Sequence, residues 1–514
     1  MSSSDHRVIV GQTGQNVLGL AIGAVATFAA QVLITNALGD EAFGVVTLTT
    51  QAAFIAAAAT RFGMDVANVR LVAILAGREE VARARGLVHR SVGIAAAVSV
   101  PFSVVAFLLS PWLAERSSAV PELAEPAFRA AAVTVPFAAL AFVYMGATRG
   151  LKIMRYTLYS QWIVQPIGWI VLTVAFWAGS KTAGMTTLAF GASWALALAV
   201  ASTGWEREQR RLPAQVGVGG GIAEEHAGAL VRFGALRAPA TLFSQLIFWT
   251  DLFVLSVLWS DRGSAGASQV GVYGAVLRAG QALFLFLTSV SLTFSPFVAD
   301  LHHRGDRERL DGLYKNVTRW TLAATIPVLL VLGILPEETL RIFGPEFSSG
   351  ADALRILIMG MIVPVMVGTV GFILIMAGRT GWDLAVYLGG FAIDIGVALA
   401  LAGPSSLGIR GAAIAQALTL SFSAVARLLL VRHFLGLWPF DRTWWRLVVP
   451  TLLGAFTMGL VHAVIPDEKW ALDLLVSAAL GAGAYGAAML TIGLSPTERV
   501  AVARLIRRRS SPAG

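Results

Sequence analysis

The sequence predicts an all-α polytopic membrane protein. It reads as about fourteen transmembrane helices, arranged as two pseudo-symmetric six-helix lobes followed by two C-terminal helices. Three observations predict this. Hydrophobic residues make up 56% of the 514 and charged residues 13%, where a soluble chain carries about a quarter charged. Apolar runs of roughly 20 residues recur from end to end, each long enough to span ~30 Å of hydrocarbon. Lys and Arg concentrate on alternate connections between those runs. Membrane barrels show sustained period-two alternation, which these runs do not. They therefore read as helices, which satisfy their own backbone groups in lipid.

In order, the expected spans are Val8–Leu38, Ala42–Thr60, Gly86–Leu109, Phe128–Thr148, Thr157–Gly179, Gly184–Thr203, Phe233–Leu258 and Val270–Val298. Trp320–Leu335, Ala353–Ala377, Leu384–Ala402, Gly411–Val431, Trp445–Ile465 and Ala471–Ile492 follow. The half-polar stretch Arg61–Gly77 reads as an extension of the second helix into the cytoplasm. With the N-terminus inside, 29 of the 39 Lys and Arg residues fall on cytoplasmic segments and seven on external ones. That bias orients the chain with both termini in the cytoplasm of an inner (plasma) membrane. The net charge of +9 therefore reads as a topology signal and as attraction to anionic lipid. Nucleic acid is not an expected partner.

One polar, Gly-rich break, Trp205–Ala229, reads as a cytoplasmic linker. The expected domains are residues 1–204 (N-lobe), 205–228 (linker), 229–436 (C-lobe) and 437–514 (helices 13 and 14 with a basic tail). The lobes share faint self-similarity. AlaPheGlyValVal (42–46) parallels GlnValGlyValTyr (269–273), and ArgGlyLeuValHisArg (85–90) parallels AspGlyLeuTyrLysAsn (311–316), at offsets near 227 residues. Six helices per lobe make the repeat parallel, about an axis along the membrane normal. In the tail, Ser495–Glu498 fits a capping box, and the basic stretch after it reads equally as an amphipathic surface helix or a disordered end.

Enzyme and cofactor signatures are scarce. With no cysteine there is no disulfide, thiolate metal site or cysteine nucleophile. GlyAlaGlyAlaTyrGly (481–486) matches a dinucleotide fingerprint, but it sits inside an apolar span with no strand before it. Close helix packing explains it better, as it does the pair Gly19 and Gly23. His302–His303 lacks metal-ligand partners. Neither a cofactor nor a metal is expected. Asp40–Glu41 reads as a solvated turn, because the outer loops are too short to build a glycosyltransferase cleft.

Ionisable residues inside the bilayer are costly and so become the site candidates. Asp251, Arg278 and Asp394 are the deepest. Arg129 and Arg427 lie near span ends and can snorkel to an interface. Arg278 lies ~12 Å into its helix at 1.5 Å per residue. Two readings stand for it: an ion pair with Asp251, or an anion-binding arginine in a central cavity.

The chain resembles the polysaccharide flippases of the multidrug/oligosaccharidyl-lipid/polysaccharide exporter superfamily. The resemblance is carried by AsnAlaLeuGlyAspGluAlaPheGly (36–44), TyrMetGlyAlaThrArgGlyLeuLysIleMetArgTyr (144–156), ThrAspLeuPheValLeu (250–255) and ValGlyValTyrGlyAlaValLeuArg (270–278). LeuArgIlePheGlyProGluPheSerSerGlyAlaAspAlaLeuArgIleLeu (340–357) and GlyIleArgGlyAlaAlaIleAlaGlnAlaLeu (408–418) complete it. It implies a transporter rather than an enzyme, with a cavity that alternates between inward- and outward-open states. The implied cargo is an undecaprenyl-pyrophosphate-linked oligosaccharide moved to the outer leaflet. Membrane lipids are implied as partners, and contact with polysaccharide assembly enzymes is compatible with the role.

On this resemblance and the lobe repeat Arg278 and Gln51 are the expected substrate-binding residues, and by their depth Asp251 and Asp394 are the expected ion-coupling residues. Arginine suits pyrophosphate because its planar fork donates paired, charge-assisted bonds. Where related peptidoglycan-precursor flippases carry arginines in helix 2, this chain has ThrThrGlnAlaAlaPhe, a departure from that type. The alternatives are a cation-coupled multidrug exporter and an integral-membrane glycosyltransferase or polymerase. The first would use acidic residues in helix 1, which offers only Gln12, Gln15, Asn16 and Gln31.

Overall fold

The structure, a computed structural model, describes residues 3–77, 80–151, 153–211, 230, 238–303, 305–377 and 379–494. Most of the expected linker, from residue 212, and the basic tail from Ser495 lie outside the described residues. Every regular element among the described residues is helical. The helices are α1 (Ser3–Thr60), α2 (Met64–Gly77), α3 (Val81–Leu108), α4 (Ser110–Ser117), α5 (Pro121–Gly150), α6 (Arg155–Trp177) and α7 (Ala183–Arg211). Then come α8 (Ala238–Leu246), α9 (Thr250–Leu258), α10 (Gly263–His303), α11 (Arg307–Ile334), α12 (Pro336–Arg341), α13 (Ala351–Val367) and α14 (Val370–Met376). The last four are α15 (Thr380–Leu401), α16 (Ile409–Leu435), α17 (Trp445–His462) and α18 (Trp470–Ala488).

Among the described residues, 11 helices are long and apolar enough to cross a membrane, or 12 if the bent pair α8 and α9 is one span. The expected fourteen is not reached by this measure, and two elements account for the difference. The first two expected spans run together in α1, broken only at Gly39, whose φ of 78° and ψ of 178° lie outside helical space. The eighth expected span lies inside the 41-residue α10, which is not among the 11.

The chain divides into two compact units, Met1–Ala275 with Asp383–Thr419, and Val276–Trp382 with Leu420–Gly514. In the first unit, α5 is the central helix, with small residues such as Ala138, Ala139 and Ala141 fully buried along it. Such residues let backbones approach closely where lipid provides no hydrophobic drive. A Cβ on Gly191 of α7 would lie 2.5 Å from Thr134 Oγ1 of α5. The second half of α1 crosses the start of α10 at two glycines. A Cβ on Gly44 would lie 2.6 Å from the carbonyl of Ala267, and one on Gly271 would overlap the carbonyl of Asp40. These are the equivalent glycines of the internal repeat, so the self-similar segments pack on each other.

The expected extension of the second helix through Gly77 does not form. Phe62 (φ 50°) and Gly63 (φ 69°) break the helix, and α2 begins at Met64. Arg61, expected on a cytoplasmic segment, is buried. It pairs with Asp65 at 3.3 Å and stacks on Phe142 at 4.5 Å. A polar residue at a helix end thus becomes a buried lock once a turn brings its counter-charge back.

In the second unit, Tyr314, Val367, Ile373, Leu374, Leu428 and Val431 form one apolar core. Pro364 and Gly368 (φ 73°) end α13, and a Cβ at Gly368 would meet Thr318 of α11. The α17–α18 pair closes through glycines. A Cβ on Gly481 would lie 2.8 Å from Met458 Cβ and 3.2 Å from the carbonyl of Gly454. Tyr485 Oη donates to the carbonyl of Ala323 at 2.7 Å, tying α18 to α11. Of the fingerprint-like glycines of 481–486, Gly481 therefore lies in a helix–helix seam, while Gly483 is exposed.

Candidate functional site

Four elements of the first unit converge on a buried polar centre. The chain turns at residues 247–249, so that α8 and α9 meet at 59°. That break places Asp251 in the first turn of α9. Its Oδ1 accepts from the backbone N–H of Leu252 at 2.9 Å, and its Oδ2 accepts from Tyr273 Oη of α10. Asp394 of α15 completes the centre. Asp251, Tyr273 and Asp394 are all 0% exposed.

Asp394 lies within the electrostatic reach of Asp251 and faces the Asp251 backbone N–H and the Thr419 hydroxyl of α16. Neither approaches with hydrogen-bond geometry, and both carboxyl oxygens lack a hydrogen-bond partner among the described residues. Thr419 Oγ1 instead donates, at 3.4 Å, to the carbonyl of Gly390. Three residues earlier on α16, on the same face, Gln416 is 1% exposed and its Oε1 also lacks a described partner. Two buried carboxyls in each other's field need a positive charge between them. A proton or a small cation would supply it, and carboxylate, hydroxyl and amide oxygens are a suitable donor set for either.

The two aspartates expected as ion-coupling residues are thus brought together. Tyr273, Thr419 and Gln416 were not singled out in the sequence, although they lie within or beside its family-like stretches. The signal was a tyrosine deep in a span, since a buried phenol needs an acceptor. For Asp251 the tyrosine is that donor.

Gln51 is buried in the second half of α1 (7% exposed), in a threonine-rich stretch. There Thr49 Oγ1 donates to the carbonyl of Val45 at 2.8 Å and lies 3.2 Å from Thr187 Oγ1. Arg278 is half-buried on the part of α10 that belongs to the second unit. Two residues on, Gly280 packs against Leu357 and Met361 of α13. Gln51 stands seven residues past Gly44 and Arg278 seven past Gly271.

The remaining intramembrane charges have local roles. Arg129 pairs with Glu125 at 2.5 Å, and Arg427 lies over Gly371. Glu208 is buried, accepting from Tyr156 Oη at 2.8 Å and from Arg155. The arginine–tyrosine end of the 144–156 stretch thereby anchors α7.

The chain shares its fold with solved transporters. The lipid II flippase MurJ in an inward closed conformation matches with a TM-score of 0.69 at 13% identity, over 92% of this chain and 97% of that one. An inward-facing multidrug resistance transporter of the MATE family, MOP superfamily, matches at 0.66 and 15% identity, over 82% and 98%. A MOP-superfamily transporter from Pyrococcus furiosus matches at 0.59 and 15%, over 82% and 95%. At such identities the likeness speaks for the fold alone. No curated protein sequence matches significantly. A family model described as polysaccharide biosynthesis protein matches residues 12–302, more than half of the chain. With many apolar spans and a fold shared with MOP-superfamily transporters, the chain belongs to the polysaccharide biosynthesis protein family.

Proposed function

We propose that this protein is a flippase. It carries a polyprenyl-pyrophosphate-linked oligosaccharide from the inner to the outer leaflet by alternating access, for cell-surface polysaccharide assembly. The family match over residues 12–302 carries this reading. Sugar and pyrophosphate cannot cross hydrocarbon unaided, so a polar path must shield them while the polyprenyl tail stays in lipid. Arg278 and Gln51 contact the pyrophosphate, the arginine through paired charge-assisted bonds. The Asp251–Asp394 centre takes up the coupling proton or cation. It is supported by two buried carboxyls, one of them without a hydrogen-bond donor among the described residues. Both termini and the Trp205–Ala229 linker face the cytoplasm of the inner membrane.

The test is translocation of a fluorescent polyprenyl-pyrophosphate glycan in proteoliposomes carrying an ion gradient. Gradient-dependent flipping that Asp394→Asn abolishes supports the reading. The multidrug-exporter alternative predicts gradient-driven efflux of an organic cation with no glycan-lipid movement, and that outcome would replace the proposal.

A further inference from the structure

The second unit holds a cluster apart from the centre described above. Glu338 lies in α12, His462 ends α17 and Asp473 lies in the first turn of α18. One side-chain nitrogen or oxygen from each lies within 4.8 Å of those of the other two. Glu338 and Asp473 are 5% and 2% exposed, while His462 is half-buried.

The partners of the two acids differ. Asp473 Oδ2 is 2.6 Å from His462 Nδ1, and its Oδ1 accepts from Ser477 Oγ at 2.6 Å. The Glu338 side chain makes no hydrogen bond or ion pair with a described residue, although the residue is buried and its carboxyl lies at the cluster. A protonated His462 would balance one carboxylate and leave the other without a counter-charge, which is costly in a buried place. An imidazole nitrogen and two carboxylate oxygens, drawn from three helices, are a donor set for a first-row divalent cation.

We propose that Glu338, His462 and Asp473 bind a zinc ion that fastens the α17–α18 pair to α12. Zinc–ligand bonds of about 2.0–2.2 Å set neighbouring ligand atoms roughly 3.3 Å apart in a tetrahedron. The His462–Asp473 hydrogen bond therefore opens by less than about 1 Å as Glu338 draws in. Water reaches the fourth position along the exposed edge of His462. Ser477 holds Asp473 from outside, as partners behind metal ligands do. The α17–α18 hairpin has other ties. Arg341 Nη1 donates to the carbonyl of Asp467 at 3.1 Å, and Tyr485 to that of Ala323. Those ties keep the pair docked when a ligand is changed.

The experiment uses the full chain purified in detergent, stripped with a chelator, then titrated with zinc chloride against a chromophoric competitor. Metal content is read by mass spectrometry and coordination by zinc-edge absorption. The expected result is one zinc per chain in a nitrogen/oxygen shell, with a thermal midpoint that rises on loading. Glu338→Gln, His462→Gln and Asp473→Asn should each abolish stoichiometric binding and the thermal response. Ser477→Ala should weaken binding about 10- to 100-fold. His462→Gln keeps an amide to donate to Asp473, so folding is checked independently by elution profile. No stoichiometric zinc in the wild type would mean a hydrogen-bonded cluster only, and overturns the proposal. So does full binding by Glu338→Gln, which would place the metal elsewhere.

Discussion

Replacing Tyr273 by phenylalanine removes a single hydroxyl from the centre of the first unit. In the structure that hydroxyl donates to Asp251 Oδ2, and both residues are 0% exposed. The only other described donor to Asp251 is the N–H of Leu252 at 2.9 Å. A hydrogen bond to a charged group contributes about 1.5–3 kcal/mol, and one between neutral groups about 0.5–1.5 kcal/mol. Tyr273→Phe should therefore destabilise the protein by about 1.5–3 kcal/mol when Asp251 is ionised. In an Asp251→Ala background the same change should cost close to nothing, since no carboxyl is left to accept from the hydroxyl. The assay is reversible unfolding in mixed micelles of the wild type, both single variants and the double variant. Independent sites add within about 0.5 kcal/mol. Penalties that add to within that margin would refute the assignment of Tyr273 as the partner of Asp251. In transport, Tyr273→Phe should change the ion dependence of flipping more than the affinity for glycan lipid. The opposite split would move Tyr273 out of the coupling centre.

Further outcomes follow from the same geometry. Gly271→Ala should destabilise by about 1–3 kcal/mol despite alanine's helix preference, because the new methyl meets the backbone carbonyl of Asp40 rather than a movable side chain; thermal stability in detergent reads this. Arg278→Lys keeps the charge but loses the planar fork, so glycan-lipid affinity should fall about ten- to a hundred-fold, the equivalent of about 1.5–3 kcal/mol; unchanged affinity in a binding titration removes Arg278 from the site. Asp394→Asn should fold normally yet lose gradient-driven flipping, and a variant that transports as the wild type does at every gradient tested would end its coupling role. Reporter fusions at Thr182, Ser264 and Pro404 should read as external, and internal signals at two of them would reverse the orientation.

The sequence by itself determined the class of this protein. Apolar runs of bilayer length, few charges and Lys/Arg on alternate loops leave helices across a membrane as the only stable solution, because lipid cannot bond a free backbone. It also picked out Asp251 and Asp394, since an ionisable group in such a run is conspicuous for its cost. Pairings of residues far apart in the chain were decided by tertiary structure. Tyr273 lies 22 residues from Asp251 and Asp394 a further 121 from Tyr273, and no periodicity relates positions on different helices. The break at residues 247–249 was silent, because a bend inside an apolar run leaves its composition unchanged. Glu338 falls in a connection between expected spans, His462 and Asp473 near the ends of the thirteenth and fourteenth, and nothing in the sequence singled them out. Only the packing of α12 against the α17–α18 pair gathers their ligand atoms, since burial and counter-charge belong to the space around a residue and not to its neighbours in sequence.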